Sequence, residues 1–180
     1  MNIFDYNRIM VIGNNGSGKS YLSKALAAIT GLPLAHLDAL YWRPNLQRPP
    51  DEEWARAHRE LIAAEKWILD GNYIQGGAME ARCAVADLVI YLDVNRLVCL
   101  ISAVLRNFKA RPDDGPRDFQ EKWDKNFFGL CKAIWDFPQK RRPKYLALCK
   151  NSTPFYAIKG RRKMHRLLRQ WAAQSGIHTP

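Results

Sequence analysis

The 180-residue sequence contains no CxxC pair; its four cysteines, Cys83, Cys99, Cys131 and Cys149, lie far apart. That spacing excludes a zinc ribbon and a disulfide framework and leaves reduced, mostly buried thiols as the expectation. No apolar run is long enough to span a bilayer, and the opening MNIFDYNRIMVIG lacks the basic start and apolar core of a secretion signal. The cytoplasm is therefore the expected compartment. Internal repeats, low-complexity tracts, zinc-finger spacings and RNA-recognition signatures are also missing, so solenoids and the common nucleic-acid modules are excluded. There is no NKxD guanine motif; WDKNF is the nearest run and lacks the final acid, which argues against a GTPase. Acidic residues are scarce as well: 17 Asp and Glu against 28 Lys and Arg give a net charge of +11. A field of that sign attracts polyanions, whether nucleic acid, a nucleotide or an acidic membrane surface.

What is present fits one globular domain spanning residues 1–180, with 47% hydrophobic and 25% charged residues. Short apolar runs alternate with helical patterns, the rhythm of a parallel sheet covered by helices. Strands are expected at 8–13 (RIMVIG), 34–38 (LAHLD), 67–70 (WILD), 86–93 (ADLVIYLD) and 153–158 (TPFYAI). Helical faces are marked by Leu22, Ala25, Leu26 and Ile29, by Trp54, Ala57, His58 and Leu61, and by Met164, Leu167, Leu168 and Trp171. After the fourth strand, Leu97, Leu100, Ile101, Val104, Leu105 and Phe108 keep helical spacing throughout. The stretch that follows is too long for one crossover helix. Its start, KARPDDGPRD, reads as a loop, and Phe119, Trp123, Phe127, Leu130, Cys131 and Ile134 then mark a second amphipathic helix.

GNNGSGKS, residues 13–20, satisfies GxxxxGK[ST] and stands between an apolar strand and an amphipathic helix, where a phosphate-binding loop must stand. Its glycines let backbone N–H groups converge on an anion, and the helix behind adds unpaired amides and the positive end of its dipole. Lys19 offers a full charge to the β- and γ-phosphates, and Ser20 offers a hydroxyl to Mg²⁺. Gly13, Asn14, Asn15, Gly16, Ser17, Gly18, Lys19, Ser20 and the adjoining Tyr21 thus form the expected ATP site. Gly160 and Arg161, after the last strand, are the candidates for the adenine side.

Transfer requires an acceptor side and spread positive charge. Asp70, ending WILD, stands where an acid would order the Mg²⁺ shell; Asp38, ending LAHLD, faces the acceptor as a base or as a contact. Tyr41 and Trp42 follow it and can stack on a base or sugar. Arg106 and Arg111 are placed to close over the triphosphate as catalytic cations, and Arg141 and Arg142 to reach the acceptor. His36, His58, His165 and His178 form no metal or catalytic pattern and are assigned to packing and surface.

HLDALYW, WILDGNY, ADLVIYLD and FPQKRRPKY, in this order after the phosphate loop, resemble the topology modulation proteins, small P-loop proteins related to adenylate kinase. The likeness runs over nearly the whole chain. It implies an adenylate-kinase-like α/β/α fold, a five-stranded parallel sheet with a helical lid at roughly 106–150, ATP and Mg²⁺ as cofactors, and kinase activity on a small-molecule or nucleotide acceptor. The family name also keeps open an ATP-regulated nucleic-acid-binding protein affecting DNA topology. Where adenylate kinases carry Asp-Gly-Phe-Pro-Arg, this chain has Asp70, Gly71, Asn72 and Tyr73, so the arginine that contacts AMP is missing and Gly71, Asn72 and Tyr73 become candidate acceptor contacts.

Overall fold

The computed structural model describes residues 1–43, 47–106, 125–150 and 154–176. Five parallel strands, β1 (Arg8–Gly13), β2 (Leu34–His36), β3 (Trp67–Asp70), β4 (Leu88–Asp93) and β5 (Phe155–Lys159), form one sheet in the order β2-β3-β1-β4-β5. Around it lie α1 (Lys19–Thr30), α2 (Leu37–Tyr41), α3 (Asp51–Ala63), α4 (Ala78–Val85), α5 (Arg96–Arg106), α6 (Lys125–Lys140), α7 (Arg142–Lys150) and α8 (Arg161–Ser175).

The alternation of side chains along β1 divides the core. Ile9 and Val11 point to one face, where they meet Leu22, Leu26 and Ile29 of α1 and Met164, Leu168 and Trp171 of α8. Met10 and Ile12 point to the other, against Trp54 of α3, Met79 and Cys83 of α4 and Tyr145 and Cys149 of α7. β1 and β4 are apolar on both faces because helices cover both, which makes three layers of helix, sheet and helix.

Helix α5 departs from the expected pattern. It buries Cys99 and Ala103, holds Leu100 and Val104 half-buried, and leaves Leu97, Ile101 and Leu105 at 55, 58 and 58% exposure. The reason is the phosphate loop. Gly16 packs against the Cys99 carbonyl so closely that a Cβ at Gly16 would stand 2.4 Å from its oxygen. Only small side chains let α5 approach this way, so its contact face is set by Cys99 and Ala103 instead of by the large apolar residues. In the stretch that follows, Phe127 and Ile134 of α6 are buried as the periodicity predicts, whereas Phe108, Phe119 and Trp123 lie outside the described residues. Helix α6 continues through Pro138 in its last turns.

Among the described residues, one charged side chain is entirely enclosed. Arg82 of α4 has no exposed surface; its Nη2 donates to the carbonyls of Asn72 (3.2 Å) and Tyr73 (2.8 Å), and its Nη1 lies 3.3 Å from Nε2 of His58. An arginine donates only, so His58 accepts there and is neutral. Burial, and then the Arg82 charge, push the His58 pKa down to about 4 from the usual 6.5. The sign follows from linkage: between these two values the unfolded chain binds a proton that the folded chain refuses, so stability falls as pH drops from about 6.5 to about 4. Replacing His58 with Gln is expected to flatten the acid side of the profile across that window. Thermal midpoints of both proteins from pH 4 to 8 check this, and parallel curves would remove His58 as a cause.

Candidate active site

The carboxyl ends of the strands open into a cavity of about 940 Å³, as expected for an open α/β sheet. One side is the phosphate loop, represented by Asn15, Gly16, Gly18, Lys19, Ser20 and Tyr21. Gly18 precedes α1 in the left-handed region (φ 105°), a conformation that favours glycine, and no side chain caps the helix. The first amides of α1 are therefore left for an anion. Lys19 Nζ folds back onto the Asn14 carbonyl at 3.0 Å, within the loop that would present it to phosphate.

The opposite side carries the candidate acceptor residues. Asp38 lies in the first turn of α2, just beyond the end of β2, and lines the cavity. The Tyr73 hydroxyl donates to its Oδ1 at 2.5 Å. Burial, then the Asp38 charge, hold the Tyr73 hydroxyl far above its ordinary pKa, so it remains a donor and fixes the carboxylate's orientation. Trp42 and Gly71 also line the cavity, and the guanidinium of Arg48 lies 5.7 Å over the Trp42 ring. From the α6–α7 side come Lys140, tied to Asp136 at 2.6 Å, and Arg141 and Lys144. Arg106, at the end of α5, lines the cavity between these two sides in sequence terms; Arg111 lies outside the described residues.

Asp70 is buried, and its Oδ2 meets His36 Nδ1 at 2.8 Å, while its Oδ1 is buried without a hydrogen-bond partner among the described residues. An orphaned carboxylate oxygen on the wall of a phosphate-loop cavity fits a metal-shell ligand, and the Ser20 hydroxyl at the start of α1 supplies a second oxygen of the same hard type. On sequence alone His36 carries no signal beyond packing or surface. The parallel register of β2 and β3 places it directly beside Asp70, so it orients this carboxylate.

Several expected contacts take other roles. Tyr41 is buried in an aromatic cluster, 4.9 Å from Trp54 and 4.5 Å from Tyr73, and does not line the cavity. Arg142 turns to Asp93 at 2.9 Å, away from the acceptor side. Arg161 commits its guanidinium to the Gly16 carbonyl (2.6 Å), the Ser17 carbonyl (3.2 Å) and the Ser102 hydroxyl (2.6 Å). It braces the phosphate loop and also lines the cavity. Gly160, at φ 78°, begins the turn into α8 and donates to the Asp93 carbonyl. Asn14 and Ser17 are buried beneath the loop, and Gly13 is gripped by Asn72, whose Oδ1 accepts from its N–H (3.1 Å) and whose Nδ2 donates to its carbonyl (2.7 Å). Arg82, which the sequence did not single out, holds the Asn72 and Tyr73 carbonyls from behind and so sets both that grip and the Tyr73–Asp38 bond.

No protein-family model and no curated protein matches the chain, so the resemblance to topology modulation proteins rests on its motifs alone. Solved structures do match over almost the full length. Shikimate kinase from Acinetobacter baumannii in complex with shikimate is similar at a TM-score of 0.59 and 16% identity, covering 93% of this chain and 94% of that one. Shikimate kinase from Bacteroides thetaiotaomicron is similar at a TM-score of 0.56 and 17% identity, covering 96% and 99%. The fold is thus shared with these two structures: a five-stranded parallel sheet between helices. The nucleic-acid alternative gains no support from these similarities. Among the described residues no helix is long and apolar enough to cross a membrane.

Proposed function

We propose that the protein is an ATP-dependent phosphotransferase that moves the γ-phosphoryl group to a hydroxyl of a small anionic acceptor. The observation that carries this reading is the sharing of one cavity by the phosphate loop and Asp38. In the proposed reaction the acceptor hydroxyl gives its proton to the Asp38 carboxylate, a new bond forms from the acceptor oxygen to the γ-phosphorus, and the bond from that phosphorus to the β,γ-bridging oxygen breaks to leave ADP. Lys19 and the amides at the start of α1 neutralise charge on the phosphates. Arg106 is placed to cover the transferring group. Ser20 and Asp70 would hold magnesium, which would supply charge neutralisation at the phosphates. A hydroxyl acceptor is favoured because a nucleoside monophosphate needs no base, and the adenylate-kinase arginine after Asp70-Gly71 is missing here. An anionic group on the acceptor is favoured by Arg48, Arg141 and Lys144, which line the same cavity.

The test is a panel of hydroxy acids, sugar phosphates, neutral polyols, nucleosides and nucleoside monophosphates, each incubated with ATP and Mg²⁺. Shikimate, the molecule named with one of the similar structures, belongs in it because it joins hydroxyls to a carboxylate. The expected result is a phosphate ester formed on a hydroxylated anion, at least about tenfold faster than on its neutral analogue. Exclusive phosphorylation of monophosphates, or turnover of ATP with no acceptor product, would overturn the reading.

A further inference from the structure

Pro138 lies inside α6 and has no N–H, so the carbonyl four residues earlier, that of Ile134, has no helical donor. Ile134 is wholly buried, which removes water as a substitute. The missing donor is supplied by the phosphate loop, where Asn14 Nδ2 donates to the Ile134 carbonyl at 3.0 Å. Asn14 is 3% exposed, and its Oδ1 has no partner among the described residues. Only the amide nitrogen can face a carbonyl favourably, so the bond also fixes which way the side chain points. The main chain of the same residue receives Lys19 Nζ at 3.0 Å and the Ser17 N–H at 3.2 Å. One residue therefore joins the ammonium meant for phosphate to the helix that leads into Lys140, Arg141 and Lys144.

We infer that Asn14 is a positioning residue that fastens α6 to the phosphate loop through the carbonyl freed by Pro138, and so couples nucleotide binding to the placement of the acceptor-side cations. The inference rests on the proposed ATP site. When phosphate draws Lys19 off the Asn14 carbonyl, the loop rearranges about Asn14, and its side chain passes the change to α6. The two arrangements differ in contacts at both ends, which is the requirement for coupling between sites.

Hydrogen exchange of the full chain, with and without a non-hydrolysable ATP analogue and Mg²⁺, tests this. In the wild type the analogue is expected to slow exchange both in the phosphate loop and in α6, by about fivefold or more in the latter. In Asn14→Ala, with the analogue raised to the concentration at which the loop is protected, the α6 response should fall to within about twofold of no change. Pro138→Ala returns an N–H to the Ile134 carbonyl, so the double variant Asn14→Ala/Pro138→Ala satisfies that carbonyl without a link to the loop; it should favour helix and still lose the nucleotide response of α6. This second variant keeps the question decidable if the first does not fold. Analogue-induced protection of α6 that persists in the double variant, or a wild-type loop that responds without α6, would overturn the inference. A wild-type loop that shows no protection at all would instead count against the ATP site.

Discussion

Substituting Lys19 with Ala is expected to reduce phosphoryl transfer by about 10³-fold or more while leaving the folded protein intact. The rate effect follows from the geometry of the loop. The ammonium stands at the start of α1, inside the shared cavity, and among the described residues no other lysine of the phosphate loop or α1 lines it. A single preorganised donor aimed at charge that develops in the transition state is worth about 10²–10³ in rate, and Lys19 adds a full charge in a site that excludes part of the water. The cost to stability is limited to one hydrogen bond, to the Asn14 carbonyl, which also accepts from Ser17. That places the expected loss at about 1 kcal/mol. Steady-state rates with whichever acceptor the panel identifies, together with thermal midpoints, check both halves. A variant that retains turnover within about tenfold would move the active phosphate site elsewhere in the protein.

The elements legible in the sequence were those whose signal is local. Each of the five strands is a short apolar run close to its expected place, and the phosphate loop is a contiguous motif whose context could be read directly. The contacts that escaped depend on which strands and helices become neighbours. His36 lies beside Asp70 only because β2 pairs with β3 in that register, and nothing within LAHLD announces it. Tyr41 follows Asp38 by three residues, yet a short helix carries it under the sheet edge and into the Trp54 cluster, where it serves packing. The place of Arg161 after the last strand suggests a base contact, and it does line the cavity, but nothing in the sequence shows that three acceptors on the loop and α5 also hold it. Helix α5 misled the periodicity argument most plainly. The i, i+4, i+7, i+8 spacing of Leu97, Ile101, Val104 and Leu105 marks a face, but the face packed against Gly16 is the one that carries Cys99 and Ala103. Asn14 had a readable clue, a proline four residues after a buried apolar position in a helix. That clue gives a free carbonyl without saying who fills it.

The second large effect concerns Asp38. Replacing it with Asn keeps the size of the side chain and its place in the cavity but removes the charge and the ability to accept the acceptor's proton. Transfer is expected to fall by about 10²–10⁴-fold, the usual range for a positioned acid or base, with nucleotide affinity within about threefold of wild type because Asp38 stands across the cavity from the loop. Stability should change little, since Asp38 is solvent-exposed and Asn can still accept the Tyr73 hydroxyl. Tyr73→Phe supplies the internal control. It leaves the carboxylate in place but frees its orientation, so a smaller loss, about tenfold, is expected if Asp38 must be held for proton transfer. Rates, analogue affinity by titration calorimetry and melting midpoints for the two variants separate the cases. A base predicts a rate loss alone in Asp38→Asn and a weaker version of it in Tyr73→Phe. A structural carboxylate predicts that affinity, melting midpoint and rate fall together, because the turn that carries Asp38 also borders Gly71 and the aromatic cluster beneath it. The two variants therefore distinguish proton transfer from scaffolding even before the natural acceptor is known, provided any hydroxylated anion in the panel is turned over.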